Sequence, residues 1–386
     1  MVEVESGSEQ SGFVSGSNLA HVKGTAEPAL EDITISSFLA RTVSRHGNRD
    51  ACIFSEFGER WTWDQLAQKV DQLSAGLLAL GIYKGDRVGI WAPNRPEWVL
   101  TQFATARIGA ILVNINPAYR RTELEYALAK SGAKALITAE TFKTSNYLEM
   151  LQDLAPELTS CRPGQLAAAR LPSLKSVIHM GNDEVDGMFR FKDIVMQDNA
   201  GQRARLDAIG RMLSAVDAIN LQFTSGTTGS PKAATLTHRN VVNNARFVAN
   251  SMRLNHKDRL CIPVPLYHCF GMVLGNLTCV STGSTMVFPG EVWRMLKAQQ
   301  SPPWKTSRSQ VSLPGPCPGM ATGMPVSFLN LASAGPGISS RRRSISFQQD
   351  FLLWVSTKVI GSVYGHPTGQ NGCLLNLPQR VSAPYW

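Results

Sequence analysis

The chain has 386 residues, is 43% hydrophobic and carries a formal charge of +9, which suits a globular protein of two or three domains. The seven cysteines are odd in number and contain no C-x-x-C pair, which argues against a disulfide framework or a zinc site and for a reducing compartment. The positive charge is local: nine Lys/Arg face two acids from Glu291 onward, against 29 basic and 27 acidic residues before it, so it gives no argument for nucleic-acid binding by the first three quarters.

Residues 1–29 are rich in Ser and Gly and carry Glu3, Glu5 and Glu9. They lack an apolar signal core and the Arg-rich, acid-poor pattern of a mitochondrial presequence, and read as a disordered lead-in. Residues 33–45 read as a short amphipathic helix. Residues 51–54 and 60–63 read as two strands joined by the Phe57-Gly58 turn. Thr62 and Gln65 form a capping box for the next helix, where Leu66, Val70, Leu73, Leu77 and Leu80 recur at helical spacing up to Gly81.

Val88, Ile90 and Ala92 mark a strand, and Pro96 starts a helix that stops at Gly109. Residues 111–115 are the next strand. Thr122 and Glu125 are expected to cap a helix ending at Gly132, and residues 135–138 follow as a strand. Strand and helix thus alternate over residues 85–140, which predicts a parallel sheet covered on both faces. Residues 140–215 are less legible, with a candidate strand at 174–180 and a helix at 202–213.

An apolar strand, residues 219–223, then runs into Thr224, Ser225, Gly226, Thr227, Thr228, Gly229, Ser230, Pro231 and Lys232. Gly226 and Gly229 let a polyphosphate approach the backbone and let successive N–H groups point into one concavity. Five hydroxyls in seven residues add donors, and Lys232 adds a compact cation. A flexible Ser/Gly linker is the plain alternative, but it needs neither the strand before nor the Pro-Lys after. The loop is not a Walker A sequence, which ends G-K-[ST].

Residues 233–236 read as a returning strand, and Thr237 caps a helix over 238–252. Residues 259–265 read as a strand and 266–271 (L-Y-H-C-F-G) as a loop. No Lys, Arg, Asp or Glu occurs from Leu260 to Gly290. A buried helix–strand pair is expected there. A membrane span is the alternative, opposed by Pro263, Pro265 and scattered Asn, Thr and Ser. Beyond 291 the character changes: ten of the 21 prolines fall in the last 96 residues, so regular structure is not expected. Arg341, Arg342, Arg343 and Ser344 read as a solvated charge run before a kinase or nuclear-import signal.

The phosphate-loop string resembles that of the acyl-adenylate-forming (AMP-binding) enzymes. Four other segments resemble fatty acyl-CoA synthetases in order and spacing: Tyr83-Lys84-Gly85-Asp86-Arg87-Val88, Trp91-Ala92-Pro93-Asn94, Val113-Asn114-Ile115-Asn116-Pro117-Ala118-Tyr119 and Pro265-Leu266-Tyr267-His268. The likeness is greatest to the mitochondrial medium-chain type and runs from about residue 20 to about 288.

The resemblance implies an α/β fold with doubly wound sheet subdomains, a partial N-terminal domain at 30–290 and an irregular, non-family tail at 291–386. It implies a ligase using ATP, Mg²⁺ and CoA on a fatty acid, through an acyl-adenylate. Residues 224–232 would hold the phosphates, with Lys232 stabilising the departing pyrophosphate. His268 would orient the acid's carboxylate, although taken alone it also reads as a helix cap or a satisfied core histidine. His238 and Asn240 read as structural, and no residue is assigned to metal. The location implied is mitochondrial, or cytosolic if no presequence exists.

The sequence departs from the family at Ala233, where Gly is usual after Pro-Lys. It also holds no Y-G-x-T-E, Y-x-T-G-D or G-R-x-x-D segment and no late P-x-T-x-x-G-K lysine; Val363-Tyr364-Gly365-His366 is a poor echo of the first. The expectation is therefore an impaired ligase or, alternatively, a non-catalytic fragment that binds nucleotide or acid.

Overall fold

The computed structural model describes residues 29–195, 200–224 and 231–290. The lead-in, six residues of the phosphate loop and the tail beyond 290 lie outside them.

Helix α1 is Ile35–His46; the Thr34 side chain accepts from the Ser37 N–H, and Ile35, Phe38, Leu39 and Thr42 form its buried stripe. Strand β1 (Asp50–Phe54) pairs antiparallel with β2 (Glu59–Thr62). Helix α2 (Trp63–Ala79) begins with the expected capping box: Thr62 Oγ1 accepts from Gln65 N at 3.2 Å, and Gln65 Oε1 accepts from Thr62 N at 2.9 Å. β3 (Arg87–Trp91), α3 (Pro96–Ile108) and β4 (Ile111–Asn114) follow, and α3 ends where Gly109 takes φ 73°. Only Glu97 and Arg107 of α3 are not buried, so this helix is covered on every side.

Helix α4 is Arg121–Ser131. Its N-terminal contact differs from the expected one: Glu123, not Glu125, accepts from the backbone N–H of Arg120 at 3.1 Å. Asn116 explains the shift. Its side chain accepts from Ala118 N at 2.9 Å, and the turn it makes starts the helix sooner. Glu125 is instead paired with Arg170.

β5 (Ala135–Thr138) leads to a small hairpin, β6 (Thr141–Phe142) and β7 (Ser145–Asn146), and to α5 (Tyr147–Leu154). β8 (Ser176–His179), β9 (Met188–Arg190), α6 (Phe191–Ile194) and α7 (Ala200–Arg211) complete the less legible stretch. β10 (Ala218–Thr224) enters the phosphate loop, β11 (Lys232–Thr237) leaves it, and α8 is His238–Ser251. β12 (Arg259–Cys261) is shorter than expected, because Pro263 and Pro265 cannot donate to a ladder.

Residues expected to be a loop include one helical turn, α9 (Cys269–Gly271), which continues into a π-helical segment (Met272–Leu277) and α10 (Thr278–Thr282). β13 (Thr285–Phe288) follows. Met272, Val273, Leu277, Cys279, Val280 and Met286 are buried, as a helix–strand pair inside the protein requires. No helix among the described residues is long and apolar enough to cross a membrane.

The large sheet has the order β11-β10-β4-β3-β5-β8-β9, parallel throughout except for β11. The smaller sheet has the order β12-β13-β1-β2, with only β2 antiparallel. The large sheet winds in both directions from β3, toward β4 on one side and β5 on the other. In such sheets the crevice at the carboxyl ends of the strands, where the winding reverses, is the usual ligand position.

Candidate active site

Three of the quoted segments leave adjacent parallel strands at the same end of the large sheet. Ala92-Pro93-Asn94 follows β3, Ile115-Asn116-Pro117 follows β4, and the phosphate loop follows β10. The fourth, Pro265-Leu266-Tyr267-His268, is tied to all three strands by amide side chains. Asn94 Nδ2 donates to the Val264 carbonyl at 2.8 Å, and Asn94 Oδ1 accepts from Leu266 N at 2.8 Å. Asn114 Nδ2 lies 3.2 Å from the Tyr267 carbonyl, and Gln222 Nε2 donates to that same oxygen at 2.9 Å.

These amides form a buried chain. Asn220 Nδ2 donates to Asn114 Oδ1 at 3.0 Å and to the Leu112 carbonyl at 3.0 Å. Asn114 Nδ2 donates to Gln222 Oε1 at 3.1 Å, which also accepts from Cys269 Sγ at 3.4 Å. Asn114, Asn220 and Gln222 are all buried, so each unpaired group would cost about 1–3 kcal/mol. A second buried amide pair lies behind them: Gln102 of α3 donates to the Met272 carbonyl at 3.0 Å and accepts from Asn276 Nδ2 at 2.7 Å.

Of the phosphate-loop residues, Thr224, Pro231 and Lys232 are described; Ser225, Gly226, Thr227, Thr228, Gly229 and Ser230 lie outside the described residues. Thr224 is paired with Lys232 across β10 and β11, and its hydroxyl donates to the Lys232 carbonyl at 3.3 Å. Alternation along β10 puts Thr224 on the face that carries Gln222 and Asn220, and the pairing puts Lys232 there too. Lys232 is exposed at the mouth of the crevice. Tyr126 of α4 donates its hydroxyl to the Pro231 carbonyl at 3.0 Å and so holds the far end of the loop. Ala233, opposite Phe223, is accommodated in the β11 ladder.

His268 stands on the same loop as Tyr267, their rings edge-on at 6.3 Å. Its Nδ1 accepts from the Phe270 N–H at 3.2 Å and caps α9. The helix-capping role is thus present, and it fixes the tautomer: Nδ1 accepts, so the proton sits on Nε2. Burial of part of the ring lowers its pKa below 6.5, so His268 is a neutral Nε2–H donor at pH 7. Tyr119 belongs to the same neighbourhood, its phenol pushed up by burial and by Tyr267, Glu123 and Tyr126.

His238 is structural, as its position predicts. It is buried, its Nδ1 accepts from Ile35 N at 3.1 Å, and burial holds its pKa at about 4. Asn240 completes the capping box at the start of α8, with Thr237 N donating to its Oδ1 at 3.0 Å. Asn94, Asn114, Gln222 and Tyr126 have no site role in the sequence reading. Their signal was available for β10, where Asn220 and Gln222 alternate inside an otherwise apolar strand and require partners. No group of three or more His, Cys, Asp or Glu among the described residues is placed to hold a metal ion.

The profile of the AMP-binding enzyme family matches residues 39–302. The chain belongs to that family. It is 42% identical over 272 residues to the mitochondrial medium-chain acyl-CoA ligase ACSF2 of Danio rerio, covering 70% of this chain and 45% of the relative. It is 40% identical over 288 residues to the ACSF2 ligase of Homo sapiens, covering 73% and 47%. The chain therefore spans about half the length of these relatives. In fold it is similar to an anthranilate CoA ligase, AuaEII, solved with anthranoyl-AMP (TM-score 0.55, 23% identity, 67% of this chain and 45% of that one). It is also similar to Mycobacterium smegmatis MbtA (TM-score 0.57, 24% identity, 70% and 46%). The α/β fold of the adenylate-forming N-terminal domain is thereby shared.

Proposed function

We propose that the chain carries the nucleotide-phosphate and acid-binding side of an ATP-dependent acid–thiol ligase that activates medium-chain fatty acids. One observation carries the reading: four segments distant in sequence meet at the carboxyl ends of β3, β4 and β10, joined through Asn94, Asn114 and Gln222. The substrate class follows the medium-chain ligases to which the chain is similar, and so does a mitochondrial location.

In the proposed reaction the carboxylate oxygen attacks the α-phosphorus of ATP, and the bond to pyrophosphate breaks. The thiol of CoA then attacks the acyl carbon, and AMP leaves. Residues 224–232 hold the outer phosphates, and Lys232 meets the charge that grows on the departing pyrophosphate. His268 offers its Nε2–H to one carboxylate oxygen without adding a positive charge that would tie the nucleophile down. Mg²⁺ entering with the nucleotide would add charge neutralisation at the phosphates. Catalysis of this kind is mainly positioning, so the rigid amide scaffold matters more than a nucleophilic side chain.

A second reading is supported by sequence content. Residues 1–386 hold none of the Y-G-x-T-E, Y-x-T-G-D or G-R-x-x-D segments associated with adenine, ribose and hinge in the family. As an isolated polypeptide they are therefore proposed to turn over slowly or to act as a binding fragment.

ATP–pyrophosphate exchange driven by octanoic acid separates the two readings. Exchange that falls at least about 100-fold in Lys232→Ala supports the ligase reading. Acid-dependent exchange that ignores the substitution defeats it, and binding without exchange selects the fragment.

A further inference from the structure

The site described above holds a carbonyl with two buried donors. The Tyr267 oxygen accepts from Gln222 Nε2 at 2.9 Å and from Asn114 Nδ2 at 3.2 Å. That oxygen belongs to the peptide linking Tyr267 to His268, so its direction sets the plane from which His268 departs. The His268 N–H is turned back to the Pro265 carbonyl at 3.3 Å, and its ring is held at Nδ1 by Phe270. Four bonds thus fix the residue that faces the acid, and the shortest comes from Gln222.

Gln222 lies on β10, two positions before Thr224, where the strand enters the phosphate loop. Its amide oxygen also accepts from Cys269, the first residue of α9. One side chain therefore touches the peptide before His268 and the residue after it, and it rides on the strand that presents the triphosphate loop. Among the described residues no other side chain of β10 makes a hydrogen bond of this kind: Asn114 reaches Tyr267 from β4, which does not lead into the loop.

We propose that Gln222 is a positioning residue that couples the two substrates, so that gripping ATP at the end of β10 sets the direction of the His268 donor toward the carboxylate. The proposal rests on the ligase reading of the same site. Its consequence is that acid binds more tightly when the outer phosphates are held, and by reciprocity ATP binds more tightly when the acid is present. The side chain touches neither ligand; it acts through Tyr267, Cys269 and the strand.

The test is calorimetric titration of octanoate into the full 386-residue chain, with and without saturating α,β-methylene-ATP, whose bridging carbon blocks loss of pyrophosphate. The wild-type chain is expected to bind octanoate at least about fivefold more tightly with the nucleotide present. Gln222→Met, which keeps the volume and removes both the donor and the acceptor, is expected to shrink that ratio to below about twofold; octanoate alone binds more weakly as the support of His268 loosens, while the nucleotide alone binds within about threefold of wild type. If Gln222→Met does not melt cooperatively, Gln222→Asn takes its place; it keeps a buried amide but withdraws it from Tyr267 by one methylene.

A merely structural role predicts something different: both single-ligand affinities or the active fraction fall, and the ratio stays. That result overturns the proposal. A wild-type ratio of one overturns it as well, with the ligase reading left standing. A wild-type chain that binds neither ligand removes the ligase reading, and the coupling with it.

Discussion

Two histidines, thirty positions apart, begin two helices and use the same atom in the same way. His238 at the start of α8 and His268 at the start of α9 each accept a backbone N–H on Nδ1. The difference lies in what surrounds the other nitrogen. His238 is fully buried against α1, and its Nε2 has no partner among the described residues. His268 keeps an exposed edge at the mouth of the strand-end crevice, and its Nε2–H remains available. The ring chemistry is identical, so the role is decided by position: one imidazole closes a core contact across the fold, and the other is the one proposed to present a neutral donor to a ligand.

The sharpest way to break this comparison is acid. A histidine whose folded pKa is near 4 binds its proton in the unfolded chain first, near pH 6.5. Its contribution to stability is fully present above pH 6.5 and is lost as pH falls toward 4, because the unfolded state takes up the proton that the folded state refuses. The loss amounts to about 3 kcal/mol at the acid end. The physical event is simple: a protonated Nδ1 cannot accept from the Ile35 N–H. His238→Asn keeps an acceptor near Nδ1 and removes the titration. Urea unfolding of this variant between pH 7 and 4 is expected to show a flatter decline than wild type. An equal decline assigns the acid sensitivity elsewhere.

A pair of substitutions at His268 sharpens the other half. His268→Asn keeps the cap at the Nδ1 position and loses the outward donor, whereas His268→Gln gives up the cap and reaches toward the Nε2 position. The second-order rate constant for octanoate in exchange is expected to drop about 10- to 100-fold in His268→Asn, as for a lost hydrogen bond to a charged group, with most of it regained in His268→Gln. The melting profile is expected to rank the two the opposite way. If the asparagine variant retains its rate and the glutamine variant loses it, the cap is what matters and the donor role falls.

The division between legible and illegible parts follows from the same physics. The caps at Thr62 and Thr237 and the stops at Gly109 and Gly132 rest on contacts within a few residues, and the alternation of strand and helix through β3, β4 and β5 shows as local periodicity although the pairing itself is long-range. Such contacts leave a local pattern that a reader can find. The alignment of β10 beside β4 and the bonds from Asn94, Asn114 and Gln222 to residues 264–267 span more than forty positions. No local pattern encodes them. Local rules also misplaced two starts: α4 begins earlier because Asn116 makes a turn, and α9 forms because His268 caps it. In both cases a polar side chain with a short reach overrode a plausible cap or loop.

Tyr126 offers the smallest and most discriminating test, because it touches the loop's anchor rather than its ligand-facing groups. Its hydroxyl donates to the Pro231 carbonyl, one residue before Lys232. Tyr126→Phe removes a single neutral hydrogen bond, about 1 kcal/mol, and leaves the aromatic packing in place. If that bond holds the loop's end in the geometry needed by the phosphates, the loss appears as about a fivefold weaker apparent affinity for ATP. The affinity for octanoate alone stays put, since among the described residues no hydrogen bond links Tyr126 to the amide chain that supports His268. An equal loss for both ligands would instead mean that α4 supports the whole crevice, and an unchanged ATP affinity would mean that the grip on Lys232 comes from the β10–β11 ladder alone.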